Sequence, residues 1–414
     1  MSNNDTEVAI IGGGAAGIAA GRRLRASGID CLLIEARDRL GGRAWTVKEN
    51  GFALDLGCGW LHSADRNPWA KIAEDQNRTI DRTRPPWTRP SLPIRFPLEE
   101  QHAFHQAMND LYDRLEAMLA KGGDVAAGAA LPPSGRWNNL ITAVGTYISG
   151  TELDRMSGRD FINYQDTEVN WSVVEGYGAT IAAAGSGLRA AFDCAVTRID
   201  HSGPRLKIET VKGTIFADRA IVTLPTAVLA GNENIFAPAL PEKIEAARDL
   251  PLGLADKLFV ALAGAEEFEA NTRVFAHTDR VATASYQIRP FGRPMIEVYC
   301  GGSHAAALEV GGERAFFDFA VAELTSLFGN DFAGRLKPIA MHCWGADPFA
   351  QGSYSYALPG LADRRAVLAA PVEERLFFAG EACSRGDFST AHGGWFTGTA
   401  AAEAAIAARQ RVQA

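Results

Sequence analysis

The chain has 414 residues, 47% of them hydrophobic and 22% charged, with a formal net charge of −8. This is the composition of a globular protein long enough for two or three domain-sized units. An acidic balance with no basic block argues against nucleic acid or an anionic membrane surface as a partner, and no run reaches the roughly 20 apolar residues of a membrane span.

The N-terminus, MSNNDTEVAIIGGG, has no cationic stretch ahead of its apolar run, so it reads as a strand rather than a signal peptide. That strand, Thr6 to Ile11, runs into Gly12-Gly13-Gly14-Ala15-Ala16-Gly17. A helix is predicted to about Ser27, then a second strand from Ile29 to Ile34 that ends at Glu35. Strand, GxGxxG, helix, strand, acid is the order of a Rossmann dinucleotide-binding unit. Gly12 permits the tight turn, Gly14 lets backbone approach a pyrophosphate, and Gly17 lets helix and strand pack closely. The helix start offers unpaired N–H groups to phosphate, and Glu35 is spaced to accept from ribose hydroxyls. Directly after it, Glu35-Ala36-Arg37-Asp38-Arg39-Leu40-Gly41-Gly42-Arg43 adds a second glycine turn, with Arg37 and Arg43 expected to brace the pyrophosphate region.

With this double fingerprint the chain resembles the flavin-containing amine oxidase family, which includes monoamine, polyamine and L-amino acid oxidases. Further stretches carry the resemblance along most of the chain. DLGCGWLHSADRNP (55–68) is similar to the family's segment beneath the flavin, in its polyamine-oxidase form. CAVTRIDHSGPRLKIET and RAIVTLPTAVL resemble the return into the cofactor domain, and RLFFAGEACS with AHGGWFTGTAAAEAA resembles the C-terminal flavin clamp. The resemblance implies an α/β fold: a Rossmann-like FAD-binding domain from residues 1–80, 183–250 and 345–414, with an α+β substrate-binding domain inserted as 81–182 and 251–344. It also implies cofactor contacts at Gly12, Gly14, Ala16, Gly17, Glu35, Ala36, Arg37, Gly42, Arg43, Gly57, Trp60, Val196, Gly380, Glu381, Gly394, Trp395 and Phe396.

Between these motifs, RTRPPWTRPSLPIRFP (82–97) has five prolines and four arginines and reads as a solvated loop. The following helix carries an apolar face of Phe104, Met108, Leu111, Leu115 and Met118. His102 and His105 lie on it with no acid or cysteine to complete a metal site, and none is expected. Gly185-Ser186-Gly187 lacks the strand and acid of a second nucleotide loop. Six cysteines, at 31, 58, 194, 300, 343 and 383, form no CxxC and read as reduced thiols of a cytoplasmic protein.

GLADKLFVAL (253–262) sets one lysine, Lys257, at the head of an apolar strand. Such a lysine must snorkel to water, pair with an acid or serve chemistry. The resemblance implies the last: Lys257 holding a water against flavin N5. It likewise implies that Tyr354 and Trp395 form the two walls of an aromatic cage and that His62 lines the substrate channel, with a structural histidine bonded to a backbone carbonyl as the equal alternative. Glu175, just before GYG, is weighed as a cation anchor near the cofactor. Ser353 stands where monoamine oxidases carry a flavin-linking cysteine, so FAD is expected without a covalent link. The implied reaction is hydride transfer from a neutral primary or secondary amine or polyamine to the flavin. Hydrolysis of the imine to a carbonyl product and reduction of O2 to hydrogen peroxide follow. The alternatives are an L-amino acid oxidase, which would need a cation for the carboxylate (Arg289 and Arg293 lie in the substrate domain, but nothing in the sequence fixes them in the site), another FAD-dependent desaturase or dehydrogenase, and a flavin-bearing interaction protein. The partners expected are a small amine and O2. The oligomeric state is open, with a homodimer among the options.

Overall fold

The computed structural model describes residues 5–413. Its larger sheet has eight strands. Asp5–Ile11 lies at the centre, parallel to Cys31–Ile34 on one side and to Gly213–Val222 on the other. The sequence dictates this centre: VAII and CLLI are continuous apolar runs, as a strand covered on both faces requires. Gly213–Val222 changes partner along its length. Its first half pairs antiparallel with Leu206–Thr210, and its second half parallel with Leu376–Phe378.

One face of this sheet is covered by the helices Ala15–Ala26 and Ala391–Gln413. Their small residues let backbones meet: a Cβ on Gly398 would lie 2.1 Å from the carbonyl oxygen of Ala16. Alanines 401, 402, 405 and 408 carry the buried stripe of the last helix. The other face packs on the helices Pro241–Asp249 and Arg364–Ala369 through Ile244, Ala247 and Leu368.

The second sheet is antiparallel, with five strands in the order Thr272–Phe275, Ser285–Ile288, Met295–Gly301, Ala255–Leu262 and Leu336–Met341. Alternation decides its two faces. Val274, Tyr286, Ile288, Ile296, Val298, Leu258 and Val260 point into a core closed by Phe316, Ala320 and Leu324 of the helix Gly312–Phe328. The helices Leu98–Leu119, Asn138–Ser149 and Gly158–Asn163 form a further core around Phe104, Leu111, Leu115, Leu140 and Phe161. Trp171–Val173 pairs with Trp60–Leu61 and with Ile80–Asp81, so the chain has rejoined the first lobe's strands before residue 182. A long cleft runs between the two lobes.

Candidate active site

One end of the cleft is built by the two glycine turns. Gly12, at φ +107°, turns the chain off the first strand, and a Cβ on Gly17 would lie 1.9 Å from its carbonyl oxygen. Gly14 precedes the first helix, and no side chain caps the helix start. Gly13, Gly14, Ala15 and Ala16 line the cleft there, so orphan N–H groups are available to an anion. The second turn folds back on the first: Gly14 and Gly41 form a bridge, and a Cβ on Gly42 would lie 3.2 Å from the Cα of Gly14. The buried Glu35 carboxylate accepts from Gly13 N at 2.6 Å and Arg37 N at 2.8 Å.

Arg37 and Arg43 line the cleft, and each is paired with a protein carboxylate. Arg37 pairs with Asp347 at 2.5 Å and stacks on Phe349. Burial opposes ionisation of Asp347, yet donation from His342 and Arg37 holds it well below the usual carboxylate range. Arg43 donates to Glu381 at 2.9 Å and to the Ser353 carbonyl at 2.8 Å. Glu381 also accepts from the Ser355 hydroxyl at 2.6 Å and from Ser389 N at 2.9 Å. Burial pushes against its charge, but Arg43 and these donors keep it ionised. Both arginines thus hold the cleft's walls in register. Ala36, Gly42, Gly57, Trp60, Val196, Gly380, Glu381 and Gly394 line the same space.

The opposite wall is the polar face of the five-stranded sheet. Strand register sets Ser285, Tyr299 and Lys257 in one row and Arg273, Gln287 and Glu297 in the next. All six line the cleft. Lys257 is only 7% exposed, so it does not snorkel to the surface. Its ammonium donates to the Asp55 carbonyl at 3.3 Å and lies 3.7 Å from Glu297. Burial disfavours the charge, but Glu297, Tyr299 and Asp55 outweigh it and raise the Lys257 pKa. The Tyr354 hydroxyl donates to the Tyr147 carbonyl at 2.6 Å and meets the Tyr299 hydroxyl at 3.0 Å. His62 sits with Nδ1 2.6 Å from Asn170 Oδ1. Nδ1–H therefore donates to the amide oxygen and leaves Nε2 as an acceptor. Burial holds the imidazole below its ordinary pKa, and so neutral.

Several expectations are corrected. Trp395 is not among the residues lining the cleft. Its ring meets Trp69 edge-on at 4.9 Å and lies under Arg22 at 5.8 Å, on the helix-packing side, so it supplies no second cage wall. Phe396 also lies off the cleft, packed against His392, and Gly17 acts in helix–strand packing alone. The Glu175 carboxylate is spent on Thr79 N and Oγ1, at 2.9 and 2.8 Å, outside the cleft. Arg289 donates to the carbonyls of Phe268 and Gly292, and Arg293 to those of Ala53 and Val174, so neither offers a cation to the site. The proline-rich segment is not wholly solvated. Pro86 is buried and Trp87 meets Trp60 edge-on at 4.5 Å, closing the cleft beside His62.

Sequence reading missed Tyr147, Arg273, Gln287, Glu297, Tyr299 and Trp87. The period-two alternation of SYQI and MIEVY carried a signal, since Gln287, Glu297 and Tyr299 fall on the face opposite Tyr286, Ile296 and Val298.

The cavity measures about 1440 Å³, beyond the roughly 1,000 Å³ of a large single-ligand site. Two facing glycine turns, an uncapped helix start and the Glu35 carboxylate at the end of the second strand fit a dinucleotide cofactor, with room for a substrate beside it. The sequence profile of the family described as flavin containing amine oxidoreductase matches residues 15–155 and 132–406. The chain is 30% identical to polyamine oxidase 3 of Oryza sativa subsp. japonica, over 95% of this chain and 88% of the relative. It is 28% identical to polyamine oxidase 2 of Arabidopsis thaliana, over 97% and 88%. A lysine-specific histone demethylase 1 homolog 2 from Oryza sativa subsp. japonica is also 28% identical, with 94% of this chain matched to 56% of that protein. Among solved structures, a putrescine oxidase redesigned in its cofactor binding superposes with a TM-score of 0.75 over 97% of this chain and 99% of that one, at 18% identity. This chain therefore belongs to the flavin-containing amine oxidoreductase family: it is an FAD-dependent amine oxidase.

Proposed function

We propose that the cleft oxidises a primary or secondary amine that arrives as a cation and is deprotonated within it. The observation carrying this reading is the juxtaposition of a neutral, acceptor-bearing His62 with the buried Lys257 and the Tyr147–Tyr299–Tyr354 cluster on one cavity. Asp113, Glu116, Asp166 and Glu168 also line the cavity, and their charges favour an ammonium on its way in. His62 Nε2 accepts the ammonium proton and leaves the nitrogen lone pair free. The phenol rings of Tyr354 and Tyr299 confine the amine and favour charge developing on its nitrogen. When bound, the flavin supplies the two-electron oxidation of the C–N bond to an imine, with O2 as the final acceptor and peroxide as its product. Lys257 spends one N–H on Asp55, so its remaining donors can hold a water at the reacting centre. Trp87, Trp60 and Trp344 line the cavity and exclude bulk water. Six free thiols fit a reducing setting, which favours the cytoplasm.

The test is anaerobic flavin bleaching with a panel of mono-, di- and polyamines, followed by peroxide release on admitting air. Amines should bleach the flavin, and kcat/KM should fall on the acid side as His62 protonates, a limb that His62→Gln removes. Bleaching by no amine in the panel would sink the reading.

A further inference from the structure

Four cationic side chains line the cleft among the described residues: Arg37, Arg43, Lys257 and Arg273. Three of them have a carboxylate within 4 Å, namely Asp347, Glu381 and Glu297. Arg273 has none. Its Nε donates to the Ser285 hydroxyl at 3.3 Å, and its guanidinium stacks over the Phe275 ring at 4.4 Å. These two contacts orient the planar group and use one of its five donors. Burial lowers its pKa to about 10, with Tyr147 opposing, and it remains a cation at neutral pH.

A cation on a cavity wall with unspent donors repels a second ammonium and receives a planar anion. We infer that Arg273 is a specificity residue that binds a carboxylate on the substrate, so that the preferred substrate is an amine bearing a carboxylate rather than a diamine. Strand order sets the spacing. Arg273 stands three strands from Lys257 and one row along on the same sheet face, about 16 Å backbone to backbone at the usual strand separation and rise. An α-amino acid, whose amine and carboxylate share one carbon, cannot span that. An ω-amino acid of several carbons can, with its amine toward Lys257 and its carboxylate on Arg273. The inference rests on the amine-oxidase reading above and adds to it what the far end of the substrate carries.

The experiment compares ω-aminooctanoate, octylamine, diaminooctane and α-aminooctanoate as substrates of the holoenzyme and of Arg273→Gln and Arg273→Lys. In the wild type, kcat/KM for ω-aminooctanoate should exceed that for octylamine roughly tenfold or more, as one charge-assisted contact implies. The preference should vanish in Arg273→Gln and return in part in Arg273→Lys. Flavin content and thermal midpoint, held at wild-type values in both variants, should report an intact fold. Diaminooctane should improve in Arg273→Gln. Octylamine turned over as fast as the ω-amino acid by the wild type, or a preference that survives Arg273→Gln, would overturn the inference while leaving amine oxidation standing. A preference for α-aminooctanoate would overturn the spacing argument. Failure of every amine would remove the oxidase reading and this inference together.

Discussion

Lys257 heads an apolar strand, yet its ammonium is enclosed by Asp55, Glu297 and Tyr299 and stays charged. Lys257→Met keeps the length and suits the strand, so the fold and bound FAD should be retained. Reduction by a good amine should change modestly. The oxygen half-reaction, or release of hydrolysed product, should slow roughly tenfold or more, about 1.4 kcal/mol of barrier. Stopped-flow traces of the two half-reactions decide, and wild-type rates in both would leave Lys257 a structural cation. Beside it, the Ser353 hydroxyl donates to the Ala255 carbonyl at 2.8 Å and accepts from Ala255 N at 2.9 Å. A serine so engaged forms no thioether with a flavin. Acid precipitation should release the yellow colour to the supernatant, and a yellow pellet would contradict a non-covalent cofactor.

At the scale of the element, the strand Ala255–Leu262 carries a second buried group next to the lysine. Asp256 is fully buried. Its Oδ1 accepts from Trp344 N at 3.2 Å, and its side chain also meets the Glu309 carboxyl. Burial, reinforced by the neighbouring Glu309 carboxylate, raises its pKa to about 9. The folded pKa thus lies above the unfolded value near 3.9, so the folded carboxyl is neutral where the unfolded one is ionised. Its contribution to stability is whole below about pH 4 and is lost as pH rises toward 9. Asp256→Asn keeps the acceptor for Trp344 and removes the titration. Thermal midpoints measured from pH 5 to 10 should fall more steeply for the wild type than for the variant. Parallel curves would mean that Asp256 titrates no differently in the two states.

At the scale of the molecule, the lobes are tied by a buried ion pair. Arg365 donates from Nε and Nη2 to the two oxygens of Asp160, at 2.7 and 2.8 Å, and both side chains are 1% exposed. The guanidinium also donates to the Ser355 hydroxyl and stacks on Phe388. Ser355 in turn donates to Glu381, which pairs with Arg43. The chain passes in this way from the inserted helix Gly158–Asn163 to the glycine turn of the cofactor cleft. Arg365→Leu strands a buried carboxylate and should cost about 3–5 kcal/mol, read as a large drop in thermal midpoint with early loss of FAD. Adding Asp160→Leu should recover part of it. A midpoint within a degree or two of wild type for the single variant would show that the pair carries little.

The sequence by itself determined the dinucleotide end of this protein. There the signal is local: Gly12 to Gly17, Glu35 and the second glycine turn lie within about thirty residues, and Gly12, Gly17, Gly41 and Gly42 are each demanded by a positive φ or a close backbone contact. Lys257 was legible because a lysine in an apolar strand needs an explanation. The substrate end was not legible, because it is assembled by pairing across strands and helices far apart in the chain. Arg273, Gln287 and Glu297 share a row only through sheet register, and Trp87 reaches Trp60 only because its proline-rich turn folds back over the cleft. Whether Trp395 faced cofactor or helix likewise rested on the rotation of the last helix against the first, which close packing at Gly398 and Ala16 sets. Local backbone geometry is written in neighbouring residues. The direction a side chain takes into a shared cavity is decided by what the rest of the fold packs against its other side.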